Sequence, residues 1–312
     1  MATCRAVRLH HFGGPEQLRL EQVERPIPRD DEVVIRVEAA SVNPVDLKIR
    51  AGRAPMVRAE QLPITLGRDA SGVVDTCGTA AHTLRAGDAV FCSVGWDRGT
   101  YAELLLVRAV EMTAKPARLD HVQAASVPLA GLTAWQALFD HGGLEPGERV
   151  LIHGGAGGVG HFAVQIAKAH GAWVAATVSD RDVGFARELG ADEVIDYRHQ
   201  RFEHAVGDID LVLDLIGGET QERSWSVLRP GGIIVSTVQE PDQDTARERR
   251  ARGTRFLVEP NAAQLEALAR LIEADKVRPS VAAVFALDQV REAHQMLDQT
   301  HPRGKVVLRI GQ

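Results

Sequence analysis

A glycine-dense turn joins an apolar run to an amphipathic segment midway along this chain. The apolar run Arg149–His153 is followed by glycines in the spacing G-x-G-x-x-G, and apolar residues recur at helical intervals over 159–167. A strand, a tight glycine turn and a helix in this order predict a cradle for a pyrophosphate at the helix N-terminus. A turn that serves only the fold is the alternative, and the adjoining strand and helix argue against it. We expect the cradle to be lined by Gly155, Ala156, Gly157, Gly158, Val159 and Gly160.

Composition and charge exclude several classes of protein. Of the 312 residues, 45% are hydrophobic and 25% are charged, which is typical of a soluble globular protein. The net charge of −6 argues against nucleic-acid binding, because no basic excess is available to neutralise phosphates. The arginine-rich segment 247–255 is interleaved with an acid, so we expect a solvated helix or loop there.

Targeting and metal-binding patterns are also missing from the sequence. The N-terminal residues lack the apolar core of a signal peptide, and the weakly charged stretch 122–139 is broken by Pro, Gly and Gln. We therefore expect a cytoplasmic protein with no membrane segment. The 12 histidines and the three scattered cysteines show no metal-binding spacing, so we expect no metal site among them.

Hydrophobic periodicity predicts two domains. Up to about residue 115, short strands alternate with Gly, Pro and Asp clusters, which is typical of a β-barrel-like domain. From about residue 120, apolar strands alternate with helical segments, which predicts a parallel sheet with helices on both faces. The tail returns to strands at 280–287 and 305–310. We predict an α/β protein with a β-barrel domain over 1–120 and 257–312 and a doubly wound parallel-sheet domain over 121–256.

The residues after the second strand of the predicted parallel sheet bear on the choice of cofactor. An acid at this strand end binds the ribose 2′-OH of NAD, whereas an Arg with small polar neighbours suits the 2′-phosphate of NADP. Thr177, Ser179 and Arg181 favour NADPH, and Asp180 keeps NAD as an alternative. Arg181 has a second interpretation as an ordinary surface cation. Tyr197, after the third strand, either lies beside the adenosine or is a half-buried residue at the strand end.

Further motifs occur in a fixed order along the chain. They are ASVNPVD at 40–46, LGRDASGVV at 66–74, GTYAE at 99–103, AGLTA at 130–134, LGADEVI at 189–195, LRPGG at 228–232 and RGKVVL at 303–308. With these motifs and the glycine turn, the chain resembles the zinc-free quinone oxidoreductase branch of the medium-chain dehydrogenase/reductase superfamily from end to end. The resemblance implies a GroES-like barrel domain, a Rossmann domain, NADPH in a cleft between them and a homodimer.

The departures from the zinc-dependent branch of that superfamily bear on the chemistry. That branch holds a catalytic zinc with a Cys, a His beside a Glu, and a second Cys. This chain has Asn43, Arg68-Asp69 and the aliphatic residues 129–132 in those regions. An amide, a guanidinium and aliphatic side chains are poor zinc ligands, so we expect no zinc here. Without a Lewis acid, the substrate has to be electron-poor already, such as a quinone or an activated enone.

The resemblance also implies candidate residues for the reaction. It places Asn43 and Thr133 near the nicotinamide and its ribose; the alternatives are an Asn-Pro turn and a helix N-cap that opens the run 134–139. Lys48 stands where many relatives have a tyrosine. Lys48 or Arg68 would stabilise charge on an enolate oxygen, or each is an exposed cation. Trp96 is either a flat wall for a planar substrate or a core residue.

The remaining expectations concern the cofactor site and the activity. We expect Val238, Arg303 and Lys305 to contribute to cofactor binding, and Asp69 to order the barrel rather than to act in the reaction. The predicted function is hydride transfer from NADPH to a quinone or an activated enone. An enoyl or alkenal reductase is the alternative within the same chemistry. A binding protein that uses NADPH as a sensor or as a partner signal, with little catalysis, is the alternative of another class.

Overall fold

The computed structural model describes residues 2–79 and 84–311, which fall into two compact units. The first unit comprises Met1–Leu129, Glu259–Glu273 and Pro279–Gln312, and the second comprises Ala130–Val258 and Ala274–Arg278. The strands are, in chain order, β1 (Thr3–Leu9), β2 (Leu18–Glu24), β3 (Glu32–Val42), β4 (Ile64–Thr65), β5 (Asp69–Cys77), β6 (Ala89–Ser93), β7 (Leu104–Arg108), β8 (Met112–Ala114), β9 (Arg149–His153), β10 (Trp173–Val178), β11 (Glu193–Asp196), β12 (Ile209–Asp214), β13 (Leu228–Ser236), β14 (Arg252–Arg255), β15 (Val281–Ala286) and β16 (Lys305–Arg309).

The helices are short, and several of them link consecutive strands of the second unit. They are α1 (Pro44–Arg50), α2 (His121–Ala125), α3 (Pro128–Trp135), α4 (Gly160–Ala169), α5 (Val183–Glu188), α6 (Phe202–Ala205), α7 (Gly218–Ser224), α8 (Gln243–Glu248), α9 (Ala262–Glu273) and α10 (Val290–Gln299). A π-helical turn over Gln136–His141 follows α3. None of the helices in the described part of the chain is long and apolar enough to cross a membrane.

The first unit is built on the long strand β3. A seven-stranded sheet runs in the order β15-β16-β3-β5-β6-β8, with β7 also paired to β3, and a second sheet has the order β2-β1-β4. Strand β3 is buried along most of its length, and strands pair with it on both sides. Strand β16 pairs antiparallel with β3, placing Leu308 opposite Ala40. The C-terminal tail therefore completes the sheet of the first unit.

Helix α2 belongs to the first unit, although its position after residue 120 put it in the predicted parallel-sheet domain. Its residue Ala125 is buried against Ala39 of β3 and Val307 of β16. In the other direction, the segment Ala274–Arg278 belongs to the second unit. The side chain of Gln165 on α4 hydrogen-bonds both the N–H and the C=O of Arg278, which attaches the segment there.

The second unit is a parallel sheet with the order β11-β10-β9-β12-β13-β14. Counted from β9, this is the order 3-2-1-4-5-6 of dinucleotide-binding folds. Val150, Leu151 and Ile152 of the central strand β9 have no exposed surface, as expected for a strand covered on both faces. Because parallel strands end at the same edge of a sheet, the glycine turn after β9 and the loops after β10, β11, β12 and β13 share one edge.

The arginine-rich segment 247–255 includes the exposed end of a helix, in agreement with the expected solvated helix, and also a strand that was not predicted. The helix is α8, and the strand is β14, which pairs with β13 and forms an edge of the parallel sheet. The exposed side chains of β14 are arginines, which keep this edge polar.

Candidate functional site

The glycine turn between β9 and α4 is packed too tightly for larger residues. Gly154 has a φ of +75°, and a Cβ atom added to Gly155 would lie 2.8 Å from the Cβ of Ala176 on β10. A Cβ atom added to Gly160 would lie only 2.1 Å from the carbonyl oxygen of Gly154. The glycines therefore bring the helix start, the turn and the neighbouring strand into close contact, as the sequence spacing predicts.

The backbone N–H groups of this turn have two distinct uses. Gly154 N–H donates to Thr177 Oγ1 at 3.3 Å, and Gly155 N–H donates to the Thr177 carbonyl at 3.0 Å. Within the described residues, no hydrogen bond uses the N–H groups of Gly158 or Val159. Thr177 thus anchors the start of the turn, and free donors remain beside the N-terminus of α4. Such donors suit the pyrophosphate of a dinucleotide.

The loops after β10 and β11 each carry an arginine at the sheet edge where the ribose is expected. The side chain of Arg181 is 63% exposed and lies 3.4 Å from Asp182, while Arg198 Nη1 donates to Asp180 at 3.2 Å. Asp180 is the residue that kept NAD as an alternative, and its carboxylate is paired. The side chain of Ser179 donates to Asp182 at 2.7 Å. Sequence reasoning missed Arg198, and its only signal was its place directly after Tyr197.

Apolar side chains stand exposed at the same sheet edge. Tyr197 follows β11 and is 58% exposed. Val238 follows β13, and its N–H donates to Ser236 Oγ at 3.1 Å. Ile216 follows β12 and is exposed as well, although the sequence analysis did not select it. These side chains offer apolar surface beside the polar turn.

Asp214 at the end of β12 is a further residue that sequence reasoning missed. It is fully buried and accepts hydrogen bonds from the N–H groups of Ile216 and Gly217, from Gln221 Nε2 and from Ser236 Oγ. Its two oxygens thereby hold the loop after β12 against the end of β13. Nothing in its short apolar strand distinguishes it from an ordinary residue at a strand end.

In the first unit, Asn43 and Lys305 come together with Asp69 in a buried polar cluster. Lys305 Nζ donates to Asn43 Oδ1 and lies 4.0 Å from Asp69 Oδ2, and Asn43 Nδ2 donates to Asp69 Oδ1 at 3.0 Å. Ser41 Oγ donates to the same Asp69 oxygen at 2.6 Å. Burial lowers the pKa of Lys305, and the charge of Asp69 opposes that effect. Both ends of the Asn43 amide are thus held by charged partners.

Asn43 also begins helix α1, with Pro44 as the first helical residue. Its N–H donates to Asp46 Oδ2 at 2.8 Å, and Tyr101 Oη donates to the same oxygen at 3.0 Å. Burial raises the pKa of Asp46 to about 6, with hydrogen bonds from Asn43 and Tyr101 opposing the shift. The Asn-Pro turn and the polar cluster are therefore compatible features of one residue.

Arg68 is buried, so its interpretation as an exposed cation is wrong. Its guanidinium lies 3.9 Å from the centroid of the Trp96 ring and donates to the carbonyl groups of Val94 and Gly95. Burial lowers the pKa of Arg68 to about 10, and Asp46 is the leading opposing charge. Arg68 therefore fixes the loop that carries Trp96. Trp96 itself is partly buried and packs beside the core of the first unit.

The remaining predicted residues are Thr133, Lys48 and Arg303. Thr133 is buried inside α3, and because that helix begins at Pro128, its interpretation as an N-cap is wrong. Lys48 is exposed on α1, as the surface-cation interpretation expected, and Arg303 is exposed just before β16. Although Arg303 and Lys305 share a motif, only Lys305 points into the buried cluster.

The residues at the expected zinc position do not fit a zinc ion. At the sequence positions of two zinc ligands, this chain has Arg68, whose guanidinium is directed at Trp96 and two loop carbonyls, and Asn43, whose side chain is an amide. Asp69 already accepts hydrogen bonds from Ser41, Asn43 and the N–H of Leu129. Over residues 2–79 and 84–311, His, Cys, Asp and Glu side chains form no group of three or more suited to a metal. Catalytic zinc takes three ligands of these kinds, and Asp69 is the only one in this set.

Two protein-family models match the chain. The model for the alcohol dehydrogenase GroES-like domain matches residues 29–117, and the model for a zinc-binding dehydrogenase matches residues 189–308. The mitochondrial NAD(P)H oxidoreductase RTN4IP1 of Danio rerio is 35% identical in an alignment of 324 positions, which covers 90% of this chain and 84% of that protein.

Solved structures are similar over nearly the whole length. The quinone oxidoreductase from Coxiella burnetii is 35% identical with a TM-score of 0.91, covering 99% of this chain and 100% of the other. The Escherichia coli quinone oxidoreductase complexed with NADPH is 28% identical with a TM-score of 0.88, covering 98% and 99%. This likeness confirms the predicted α/β class, with a GroES-like domain and a Rossmann sheet, and supports a nicotinamide cofactor.

Proposed function

The chain belongs to the medium-chain dehydrogenase/reductase superfamily, in its quinone oxidoreductase branch, and we propose that it transfers a hydride from NADPH to a quinone or another activated α,β-unsaturated carbonyl without zinc. The similarity to these relatives supports an NAD(P)H oxidoreductase. The observation that carries the finer proposal is the set of side chains at the zinc position. Asn43, Arg68 and a fully hydrogen-bonded Asp69 stand there instead of zinc ligands.

This set of side chains restricts the substrate. Reduction of a simple ketone needs an electrophile to hold negative charge on the oxygen, and zinc is the usual one in related enzymes. In quinones and activated enones, conjugation spreads the incoming charge, so positioning supplies much of the acceleration. Bound NADPH supplies the hydride from its nicotinamide ring.

Individual residues are assigned roles in binding the cofactor and the substrate. The free N–H groups of Gly158 and Val159 would bind the pyrophosphate. The amide of Asn43 is held by Lys305 and Asp69, so it would present one fixed orientation to the nicotinamide side of the cofactor. Thr133 is our candidate beside the nicotinamide ribose, and the exposed Lys48 is our candidate for stabilising an enolate oxygen.

The loops after β10 and β11 support the preference for NADPH. Arg181 in the first loop and Arg198 in the second are exposed cations. The carboxylate of Asp180 is paired with Arg198 and so is less available to a ribose 2′-OH. A guanidinium binds a phosphate with two charge-assisted hydrogen bonds, which a 2′-OH cannot match. The Escherichia coli relative was solved with NADPH, which agrees with this preference.

The test of the cofactor preference is Arg181→Ala, with Arg249→Ala on the surface near α8 as the matched control. Oxidation of NADPH and of NADH is followed with 1,2- and 1,4-quinones beside a series of alkenals. We expect Arg181→Ala to raise KM for NADPH roughly tenfold with little change for NADH, because the charged hydrogen bonds are lost only with NADPH. Equal changes with both cofactors, or a similar change in the control, would remove the phosphate role of Arg181.

The substrate panel also separates the alternatives. Faster turnover of alkenals than of quinones would identify the protein as a double-bond reductase, and tight NADPH binding without turnover of any member would favour a sensor protein.

Zinc independence is tested by treating the enzyme with a chelator and measuring both bound metal and quinone reduction. We expect the metal-free protein to keep full activity. A loss of activity that added zinc restores would overturn the proposed zinc independence. The homodimer and the cytoplasmic location stay predictions.

A further inference from the structure

His153 is the last residue of β9 and lies directly before the glycine turn. It has no exposed surface, and its ring contacts the edge of the Phe202 ring at a centroid distance of 4.7 Å. Its Nδ1 lies 3.1 Å from Thr177 Oγ1, and its Nε2 lies 2.9 Å from Ser224 Oγ. Both ring nitrogens are therefore engaged by hydroxyl groups, which can either donate or accept.

The neighbouring hydrogen bonds determine which nitrogen of His153 carries the proton. Ser224 Oγ donates its only proton to the carbonyl of Thr220 at 2.6 Å. It has to accept from His153, so Nε2 bears the hydrogen and Nδ1 is the acceptor. Thr177 then donates its hydroxyl proton to Nδ1, which leaves its oxygen to accept the N–H of Gly154 at 3.3 Å.

We propose that His153, in its neutral Nε2–H form, is a positioning residue for the cofactor, because it orients the Thr177 hydroxyl that anchors the start of the glycine turn. This inference rests on the proposed role of that turn in binding NADPH. The order of donors is Gly154 N–H to Thr177, Thr177 to His153, His153 to Ser224, and Ser224 to Thr220. Each donated proton in this series has one acceptor. The series therefore holds the turn in the shape that leaves the Gly158 and Val159 N–H groups free.

Protonation of His153 would break this order of donors. Both ring nitrogens would then donate, and the Thr177 hydroxyl would lose the acceptor for its proton. The charged groups around the ring are Asp214 at the end of β12, Arg223 on α7 and Glu203 on α6, and Arg223 is paired with Glu203 at 3.2 Å. Burial lowers the pKa of His153 to about 4, with Asp214 opposing and Arg223 assisting the shift. His153 therefore stays neutral at neutral pH.

The test combines two variants that act on the two sides of the ring. Thr177→Val removes the hydroxyl at nearly constant volume, and Thr177→Ser is its control because it keeps the hydroxyl. Ser224→Ala removes the acceptor of Nε2–H without touching the turn. NADPH affinity is measured by fluorescence titration, and kcat is measured at saturating NADPH. We expect Kd to rise about tenfold in Thr177→Val and about fivefold in Ser224→Ala, with Thr177→Ser within about twofold of the natural protein and kcat nearly unchanged.

A spectroscopic measurement tests the proton position directly. In ¹⁵N NMR of the full chain, we expect His153 to give the Nε2–H pattern at pH 7 and to keep it at about pH 5.5. An Nδ1–H pattern, or an unchanged Kd in both Thr177→Val and Ser224→Ala, would overturn the inference. In those cases Arg181→Ala would still weaken NADPH binding if the proposed function is correct. Failure of the natural protein to bind NADPH would instead overturn the proposed function itself.

Discussion

Acid is expected to destabilise the first unit through the buried His294 of α10. Nδ1 of His294 lies 3.2 Å from Arg50 Nη1, and because a guanidinium can only donate, Nδ1 has to be unprotonated. The ring also packs edge-on against Tyr101 at a centroid distance of 5.9 Å. Burial, assisted by the charge of Arg50 and opposed by Asp298, lowers the pKa of His294 to about 3.

The size of the effect follows from this pKa. A free histidine titrates near 6.5, so between that pH and about 3 the unfolded chain binds a proton that the folded chain refuses. The stabilisation from neutral His294 is complete above about pH 6.5 and falls by about 1.4 kcal/mol for each pH unit below it. At about pH 5, the first unit should have lost about 2 kcal/mol from this residue alone.

Hydrogen exchange of the β3 amides, corrected for the intrinsic effect of pH, measures the stability of the first unit separately. The variant His294→Asn keeps an amide oxygen that can accept from Arg50 but does not titrate, and His11→Asn on the surface is the control. We expect the natural protein and the control to lose about 2 kcal/mol more than His294→Asn between pH 6.5 and 5. Equal losses in all three proteins would refute the assignment.

Two further substitutions test the packing of the turn and of the polar cluster. Gly160→Ala should weaken NADPH binding at least tenfold in the fluorescence titration, because its Cβ would lie 2.1 Å from the Gly154 carbonyl oxygen. Gly184→Ala is the control and should leave the titration unchanged, because its Cβ would meet nothing within 4 Å. Lys305→Met should lower the free energy of unfolding of the first unit by about 3 kcal/mol, because the carboxylate of Asp69 would stay buried without its cation. A loss below about 1 kcal/mol in a denaturant titration would show that Asp69 does not need that charge.

Much of the second unit was predictable because its elements are specified locally. The apolar run over Arg149–His153, the glycine spacing and the helical period of α4 all concern residues close together in the chain. The positive φ of Gly154 and the close approach of Gly160 to that turn agree with the spacing. Strand β14 was missed because four residues of arginine-rich sequence carry no hydrophobic period, and its place is decided by pairing with β13.

One error at the candidate site came from a residue whose surroundings are distant in sequence, and another had a local cause. Arg68 looked like a surface cation until the fold placed the Trp96 ring and two loop carbonyls around its guanidinium. The free energy of the Arg68 side chain therefore depends on groups that only the folded chain brings together. The N-cap alternative for Thr133 is wrong for a local reason, because α3 already begins at Pro128.

By itself, the sequence determined the family, the strand-turn-helix unit with its glycine turn, and the lack of zinc-ligating residue types at the positions where the zinc-dependent branch has them, because residue type and spacing suffice for each. The tertiary structure alone decided that Lys305 joins Asn43 across 262 positions of the chain, and that His153 is clamped between Thr177 and Ser224. The physical reason is that a buried polar group is stable only with its partners in place, and chain topology supplies those partners.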